Sequence, residues 1–361
     1  MVESILIGAI LATAVAWSLA LALVPSGRET PGALVFPPLA VYTSLAGYAA
    51  LVVGRGISDR QNYLRDLEEV ARGGGIDSIE REPLFWAFLK GVSLFGDTDV
   101  HLYVGVAIVC AVAYIAALRL LMPWASVPVT FLGVLALGFF VTYSSVAIRQ
   151  GLALACIVLA ISLLLSGAKK SAFAALIVAS LFHWSAITAA AIILIVFVTK
   201  VSYATLVKIW LISSAAAFTG IFRFLLSPLN QSIDRLGAYA DPDLARSYSG
   251  GTLRVEFWLF SLGLLVAIHF FAVRGPGERG ATELARYFVA LNCMYLLLAH
   301  VYFSDRIAVY SWTLAPIALI PALVKGGRTL GDHLRVFATL IAILAVGFLF
   351  GPFGEILSGA T

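Results

Sequence analysis

The sequence predicts an all-α, polytopic integral membrane protein, and three observations lead to that prediction. Hydrophobic residues make up 61% of the 361 residues, charged residues make up only 12%, and the mean hydropathy is +0.98. Soluble globular chains are about half apolar and about a quarter charged. The apolar segments are continuous and do not alternate with polar residues, which is typical of membrane-spanning helices and not of barrel strands.

About twelve spans are expected in a single transmembrane domain over residues 1–361, with both termini outside. A shorter apolar stretch at 83–95 is better suited to an interfacial or re-entrant helix on the external face. The predicted spans are 4–24, 34–53, 100–121, 127–147, 151–166, 171–184, 186–198, 203–222, 255–273, 284–299, 307–324 and 336–350.

Loop charges decide how the segments 171–184 and 186–198 are interpreted, because each is short for a span. As two spans they place five of the six Lys on one face, which the positive-inside rule makes cytoplasmic. As a single helix they would put Lys169 and Lys200 on opposite faces. Two separate helices are therefore favoured, with external loops at 54–99 and 223–254.

Several other classes of protein and site are disfavoured by the sequence. The run 4–24 lacks a basic n-region and a small-residue cleavage pattern, so it is expected to remain as an anchor. The three Cys lie inside predicted spans without CxxC spacing, so neither a disulfide framework nor a metal site is expected. No basic stripe with interleaved aromatics indicates a nucleic-acid partner. No cofactor and no metal are expected.

Arg149 is the most informative residue, because it separates two uncharged apolar runs, 127–147 and 151–167. No acidic residue and no Pro adjoin it in the sequence. An ionisable group so close to the hydrocarbon is costly to place and is a candidate functional residue by default. The rigid guanidinium fork fits phosphate oxygens with two hydrogen bonds, which a Lys does not. The position therefore predicts a residue that binds a phosphorylated lipid.

The external loops mix carboxylates, Arg and aromatic residues, a composition that suits a ligand carrying both hydroxyl and phosphate groups. Most of these residues are expected to be polar simply because the loops lie in water. Within the two long polar segments, the candidates for a role at the site are Asp59, Tyr63 and Tyr239.

His183 lies at the predicted external turn between two short helices, on the same side as Arg149. Its side chain takes up a proton readily near neutral pH, which makes it a candidate general base. The alternative is a hydrogen-bonded interfacial histidine beside Trp184, which is common in membrane proteins.

Glu82 and Arg306 each have a structural and a functional interpretation. Glu82 directly precedes Pro83, which is an ordinary way to begin a helix, but its carboxylate also lies on the external face. Arg306 follows Asp305 at another external junction, either as a local ion pair or as a second cation for phosphate.

These elements, in this order, resemble the EpsG family of Wzy-like bacterial polysaccharide polymerases. The resemblance is strongest over residues 54–198, and around Arg306 it is loose. The first element departs from the family pattern by one extra residue after the Gly and by Arg60 in place of an aromatic. The matching elements are Gly56-Ile57-Ser58-Asp59-Arg60-Gln61-Asn62-Tyr63, Glu82-Pro83-Leu84-Phe85-Trp86, Ile148-Arg149-Gln150-Gly151-Leu152-Ala153 and Phe182-His183-Trp184-Ser185.

The resemblance implies a GT-C-like helical fold and a role in joining lipid-linked oligosaccharide repeat units. The leading hypothesis is a Wzy-type glycosyltransferase of the bacterial cytoplasmic membrane, with its site facing outside, that makes exopolysaccharide, capsule or O-antigen chains. Polyprenyl-diphosphate-linked oligosaccharide is both donor and acceptor, the lipid being undecaprenyl diphosphate. Besides the lipid bilayer, the expected partners are a chain-length regulator and a flippase of the same pathway.

In this hypothesis, positive charge is needed at the leaving diphosphate and a base is needed at the attacking hydroxyl. Arg149 and Arg306 are the candidates for the diphosphate. His183, Glu82 and Asp59 are the candidates for the base. Further substrate contacts are expected from Gln150, Tyr63, Ser185 and Tyr239.

Three alternatives belong to other functional classes. A glycan ligase would use the same lipid-linked donor, and sequence does not separate it from a polymerase. A transporter or flippase for lipid-linked sugars should show paired repeats with broken helices, which the sequence does not display. An intramembrane protease is disfavoured because Ser185 follows His183 too closely for a dyad and no Gly-x-Ser-x-Gly is present.

Overall fold

The computed structural model describes residues 2–22, 30–54, 57–75, 82–222, 224–225, 254–274, 279–301, 304–326, 338–339 and 342. Within these ranges the regular structure is helical and includes no strand, which confirms the all-α class. The predicted span at 336–350 and the loop at 223–254, with Tyr239, lie almost entirely outside the described residues.

The helices follow one another with short connections, apart from the gaps between the described ranges. In chain order they are α1 Val2–Ala22, α2 Gly32–Val52, α3 Ser58–Ala71, α4 Pro83–Ser93, α5 Asp99–Leu121, α6 Val127–Ala136, α7 Phe139–Ser145, α8 Ile148–Leu165, α9 Lys169–Phe182, α10 Ser185–Thr199, α11 Tyr203–Phe218, α12 Val255–Ala267 with a π-helical continuation Ile268–Val273, α13 Arg279–Leu297, α14 Ser304–Trp312 and α15 Leu314–Gly326.

Five helical segments of the described chain are long and apolar enough to cross a membrane, or six if one bent pair counts as a span. Shorter apolar helices, among them α10 and α11, add to these. The total of about twelve spans and the GT-C-like fold therefore stay predictions. The five segments are Gly32–Val52, Asp99–Leu121, Ile148–Leu165, Val255–Val273 and Ser304–Leu323.

The chain forms two compact units, of which unit 1 comprises residues 1–187 and 320–361, and unit 2 comprises residues 188–319. In unit 1, α8 packs along α9 and α5, and α2 packs on α5. The predicted external segment 54–99 is not simply a loop. It contains the amphipathic helix α3 and the 11-residue helix α4, which pack on each other. At 11 residues, α4 is too short to span, as expected for an interfacial or re-entrant helix.

The predicted span at 127–147 is not one continuous helix. Helices α6 and α7 meet at Gly138 with a bend of 67° between the pair Trp124–Ala136 and Phe139–Ser145. Gly138 has φ 77°, a left-handed conformation that glycine adopts without steric cost. All of α6 is buried, so the broken backbone lies inside protein and away from lipid, where such breaks are tolerated.

Arg60, the residue that departs from the family pattern, is buried at the end of α2. Its guanidinium donates to the carbonyl oxygens of Ala50 at 2.8 Å, Leu51 at 3.0 Å and Val53, all at the C-terminal end of α2. The same group stacks 3.6 Å above the ring of Tyr103 in α5. Because the last carbonyls of a helix lack intrahelical donors, Arg60 caps α2 and ties α3 to it.

Unit 2 is organised around the buried amide of Asn292 in α13. Its oxygen accepts from Trp210 Nε1 in α11 at 2.7 Å, and its nitrogen donates to Ser261 Oγ in α12 at 3.0 Å and to Ser311 Oγ in α14 at 2.9 Å. Trp312 Nε1 also donates to Ser261, at 2.8 Å. Four helices are therefore joined by one neutral network, in which the oxygen and both N–H groups of the buried amide have hydrogen-bond partners.

Candidate functional site

Arg149 lies in the first turn of α8, directly after the backbone turn that ends α7. The two helices approach closely there. A Cβ added to Gly151 would lie 2.0 Å from the carbonyl oxygen of Tyr143, so only glycine fits without a shift of the backbone. The Arg-Gln-Gly order thus places an arginine at the helix start and a glycine at the contact that fixes this start.

His183 lies at the break between α9 and α10, which are two helices as the loop charges predicted. Its backbone is extended, with φ −159° and ψ 130°. Its N–H still donates to Ala179 O, and its carbonyl accepts from Ala186 N. The break therefore keeps local backbone bonds while it turns the imidazole out of both helices.

Glu82 begins α4, with Pro83 at the first helical position, as expected from the Glu-Pro sequence. Its carboxylate makes no capping bond to the helix. Instead Oε2 accepts from Arg149 Nη1 at 2.6 Å and Oε1 accepts from His183 Nδ1 at 3.0 Å. Glu82, Arg149 and His183, called the Glu82 cluster below, come together over 67 and 101 residues of sequence.

Arg149 has no acidic neighbour in the sequence, but in the structure it forms an ion pair with Glu82. The side chain of Glu82 is 2% exposed, whereas those of Arg149 and His183 are 21% and 23% exposed. The carboxylate is therefore the buried centre of the cluster, and the two nitrogen-bearing groups form its accessible side.

Burial of Glu82 raises the pKa of its carboxyl, but the hydrogen bond from His183 and the charge and hydrogen bond of Arg149 outweigh this effect. Together they lower the pKa from 4.5 to about 2. The carboxylate is thus ionised at physiological pH and is a weak base. With an ionised acceptor, Nδ1 of His183 carries the hydrogen of this bond, and Nε2 holds the basic lone pair.

Tyr63 of α3 lies behind Arg149. Its hydroxyl is 3.5 Å from Nε of Arg149, at the long end for a hydrogen bond, and its ring packs edge-on against Phe85 at 5.6 Å. Tyr63 is buried, so it offers no open ring face on which a sugar could stack. Within the described part of the chain, Nη2 of Arg149 has no hydrogen-bond acceptor.

The other candidate residues lie at different places in the fold. Asp59 is in the first turn of α3, Gln150 is buried beside Arg149, and Ser185 begins α10. Arg306 lies in α14, in unit 2. Among the described residues, no group of three or more His, Cys, Asp or Glu side chains is arranged to hold a metal ion.

Comparison with known proteins gives one result that bears on this geometry. A model of the EpsG family matches residues 35–353, which is most of the chain. The chain belongs to the EpsG family. With its apolar helices, this EpsG-family chain is a membrane protein of polysaccharide biosynthesis. The curated proteins and the solved structures gave no match.

In this EpsG-family protein, the four sequence elements that carry the resemblance meet at the Glu82 cluster, where Tyr63 contacts Arg149. Asp59 to Tyr63 supplies the tyrosine, Glu82-Pro83 the carboxylate, Arg149-Gln150 the guanidinium, and Phe182-His183 the imidazole. The sequence did not indicate the part played by Asn292 in unit 2. A lone amide inside the predicted span 284–299 was the signal that could have drawn attention to it.

Proposed function

We propose that this protein is a Wzy-type polymerase that joins lipid-linked oligosaccharide repeat units. The observation that carries the proposal is the Glu82 cluster, in which one buried carboxylate holds a guanidinium and an imidazole side by side. Transfer of a sugar from a lipid diphosphate needs an anion-binding group and a base within reach of one another. EpsG-family membership supports the same reaction class.

Arg149 would bind the diphosphate of the donor. Its Nη1 donates to Glu82 and its Nε lies near the hydroxyl of Tyr63, and these two contacts fix its orientation. Nη2 has no acceptor among the described residues, so it remains for a phosphate oxygen. A donor that is already oriented stabilises developing charge without reorganising, which is the main requirement for an oxyanion site.

His183 would act as the base, and Glu82 would position it. The carboxylate accepts the Nδ1 hydrogen, which makes Nε2 the basic nitrogen of the ring, in the manner of a carboxylate–histidine pair. Glu82 itself is a weak candidate because its pKa is lowered to about 2. The contact with Glu82 places an anion directly beside the imidazole ring.

An acceptor hydroxyl oxygen forms a bond to the anomeric carbon of the donor, and the bond from that carbon to the lipid diphosphate breaks. The electron pair leaves with the diphosphate, next to Arg149. The hydroxyl proton moves to Nε2 of His183, and the resulting imidazolium is stabilised by Glu82. Before the transfer Arg149 and Glu82 offset each other's charge, so proton uptake adds positive charge as the leaving group gains negative charge.

Analysis of glycans in a deletion strain tests this function. Loss of a polymerase leaves single repeat units on lipid, accessible from outside the cell, and the wild-type gene restores long chains. Long chains that are not attached to their final acceptor would instead indicate a ligase. Lipid-linked units that stay on the inner face would indicate a flippase.

A further inference from the structure

The lengths of α8 and α9 determine how deep the Glu82 cluster lies. The two helices pack along each other and are joined by a short turn at 166–168, next to Lys169 and Lys170. At 1.5 Å per residue, Arg149 lies about 24 Å and His183 about 21 Å from this turn. The hydrocarbon core of a bilayer is about 30 Å thick.

The cluster therefore lies below the outer membrane surface when the turn is at the inner interface, where the loop charges predict it. The heights of Arg149 and His183 above the turn are about 6 Å and about 9 Å less than the thickness of the hydrocarbon core. Any tilt of the helices reduces their vertical rise and so increases this depth. A substrate must reach the cluster either through a water-filled channel from the external side or laterally from the outer leaflet.

The outward side of α9 is an apolar surface that ends two residues before His183. Phe173, Ile177 and Leu181 are all exposed, and their spacing of four residues places them on one side of the helix. The opposite side of α9 is buried. We call these three residues the α9 stripe. It runs from the turn beside Lys170 to the last turn of the helix.

We propose that the α9 stripe binds the isoprenoid chain of the lipid-linked substrate and brings its diphosphate sideways to Arg149. This inference rests on the proposed function, since it names where that substrate lies. In an ordinary phospholipid the phosphate is attached above a glycerol with two polar esters, which hold it at the interface. In a polyprenyl diphosphate the apolar chain is bonded directly to the diphosphate, so the charged group can follow the chain to the depth of Arg149.

Charge favours this occupant. Nη2 of Arg149 faces no acceptor in the described ranges, and an anion at the end of the stripe would fill that place with a charge-assisted hydrogen bond. A polyprenol without phosphate has the same chain and lacks the anion. It should therefore occupy the stripe much less.

Site-specific photocrosslinking in nanodiscs tests the proposal with the full chain. Benzoylphenylalanine is placed at Ile177 on the stripe and, as a matched control, at Val112 on the outer side of α5, since both residues are 61% exposed. The bilayer is phosphatidylglycerol with a small fraction of a long-chain polyprenyl diphosphate, or of the matching polyprenol. Mass spectrometry identifies the adducts. Should the Ile177 variant fail to fold, Phe173 is the second position on the stripe.

We expect the ratio of polyprenyl-diphosphate to phospholipid adducts to be about tenfold higher at Ile177 than at Val112, equivalent to about 1.4 kcal/mol of preferential binding. Polyprenol, or the diphosphate with Arg149→Ala, should abolish the enrichment. Equal ratios at the two positions would mean that bulk lipid covers the stripe, and adducts to a second copy of the chain would mean a protein interface. Either result overturns the proposal.

Polymerisation by the wild-type protein is measured separately, so that the two proposals can fail independently. Activity without enrichment at Ile177 would reject the stripe as the lipid site and leave the polymerase. Enrichment without polymerisation would support the lipid site and reject the polymerase.

Discussion

Two arginines of unit 1 differ in how their guanidinium donors are used. Arg60 is buried, donates to three carbonyls at the end of α2 and stacks on Tyr103. Arg149 is partly exposed, donates to one carboxylate and one phenol, and directs Nη2 at no acceptor in the described chain. A ligand could reach the donors of Arg60 only if the end of α2 came apart.

The acceptor, more than the residue type, distinguishes a structural arginine from one that can bind a ligand. The guanidinium of Arg60 stabilises the end of α2, because the last backbone carbonyls of a helix have no intrahelical donors. A carboxylate shared with His183 fixes Arg149 and couples its position to a proton acceptor. The predictions below test this distinction.

The largest effect is expected at Arg149. We expect Arg149→Ala to lower polymer formation by more than about a hundredfold, as for removal of one preorganised oxyanion donor. The measurement is glycan chain length and yield per folded molecule in membranes. Arg72→Ala is the control, because Arg72 is exposed and its ion pair in the described part of the chain is with Glu68, one turn away. Comparable activity in the two variants would refute the role of Arg149.

The next largest effects are expected from its partners. His183→Ala should severely impair polymerisation while lipid-linked substrate still binds, and Glu82→Gln should give a smaller defect, since a neutral amide still accepts from Nδ1. An in vitro assay with defined lipid-linked units measures both. An inactive Glu82→Gln beside an active His183→Ala would make the carboxylate the base.

Stability should depend on pH through Glu82. Its pKa is about 2 in the folded chain against 4.5 ordinarily, so its stabilising contribution is complete above about pH 4.5 and is lost as the pH falls toward 2. The melting temperature of wild type should exceed that of Glu82→Gln by a constant amount from pH 7 to about pH 4.5, and the difference should shrink below. Glu68→Gln should show little difference, because its ion pair is exposed.

The smallest effect on activity is expected at Asn292, where the network is neutral and buried. Asn292→Leu should cost about 1–3 kcal/mol of stability, because Trp210 Nε1 and two hydroxyls lose a partner. Polymerisation per folded molecule should stay normal. Trp210→Phe in the same background should add little, since the two residues share one hydrogen bond. A catalytic defect at unchanged stability would show that this network does more than hold unit 2 together.

The sequence identified the residues of the candidate site better than it predicted the contacts between their side chains. Arg149 could be found because a charge between two apolar runs is costly, and the His183 turn could be found from loop charges. The bonds of Glu82 to both could not, because contacts across 67 and 101 residues follow no local spacing rule. The Glu-Pro sequence correctly predicted that the backbone begins a helix at this point, since Glu82 precedes α4. It gave no indication of what the carboxylate binds.

The fold was predictable where composition decides it and less so where backbone geometry does. The helical class and the short α4 follow from apolar runs and their lengths. The break at Gly138 did not, because a glycine in an uncharged run looks the same whether its φ is negative or positive. In the sequence, Arg60 was noted only as a departure from a family pattern. No local sequence pattern predicts that its side chain binds the end of α2.

Replacing each of the two arginines by Lys, in the same membranes, decides between a structural and a binding role. Lys keeps the charge and loses the guanidinium fork. Per folded molecule, Arg149→Lys should form less than about a hundredth of the normal polymer at nearly unchanged melting temperature. Arg60→Lys should melt earlier and polymerise normally. Near-normal chain length from Arg149→Lys, with loss of activity confined to Arg60→Lys, would contradict the account.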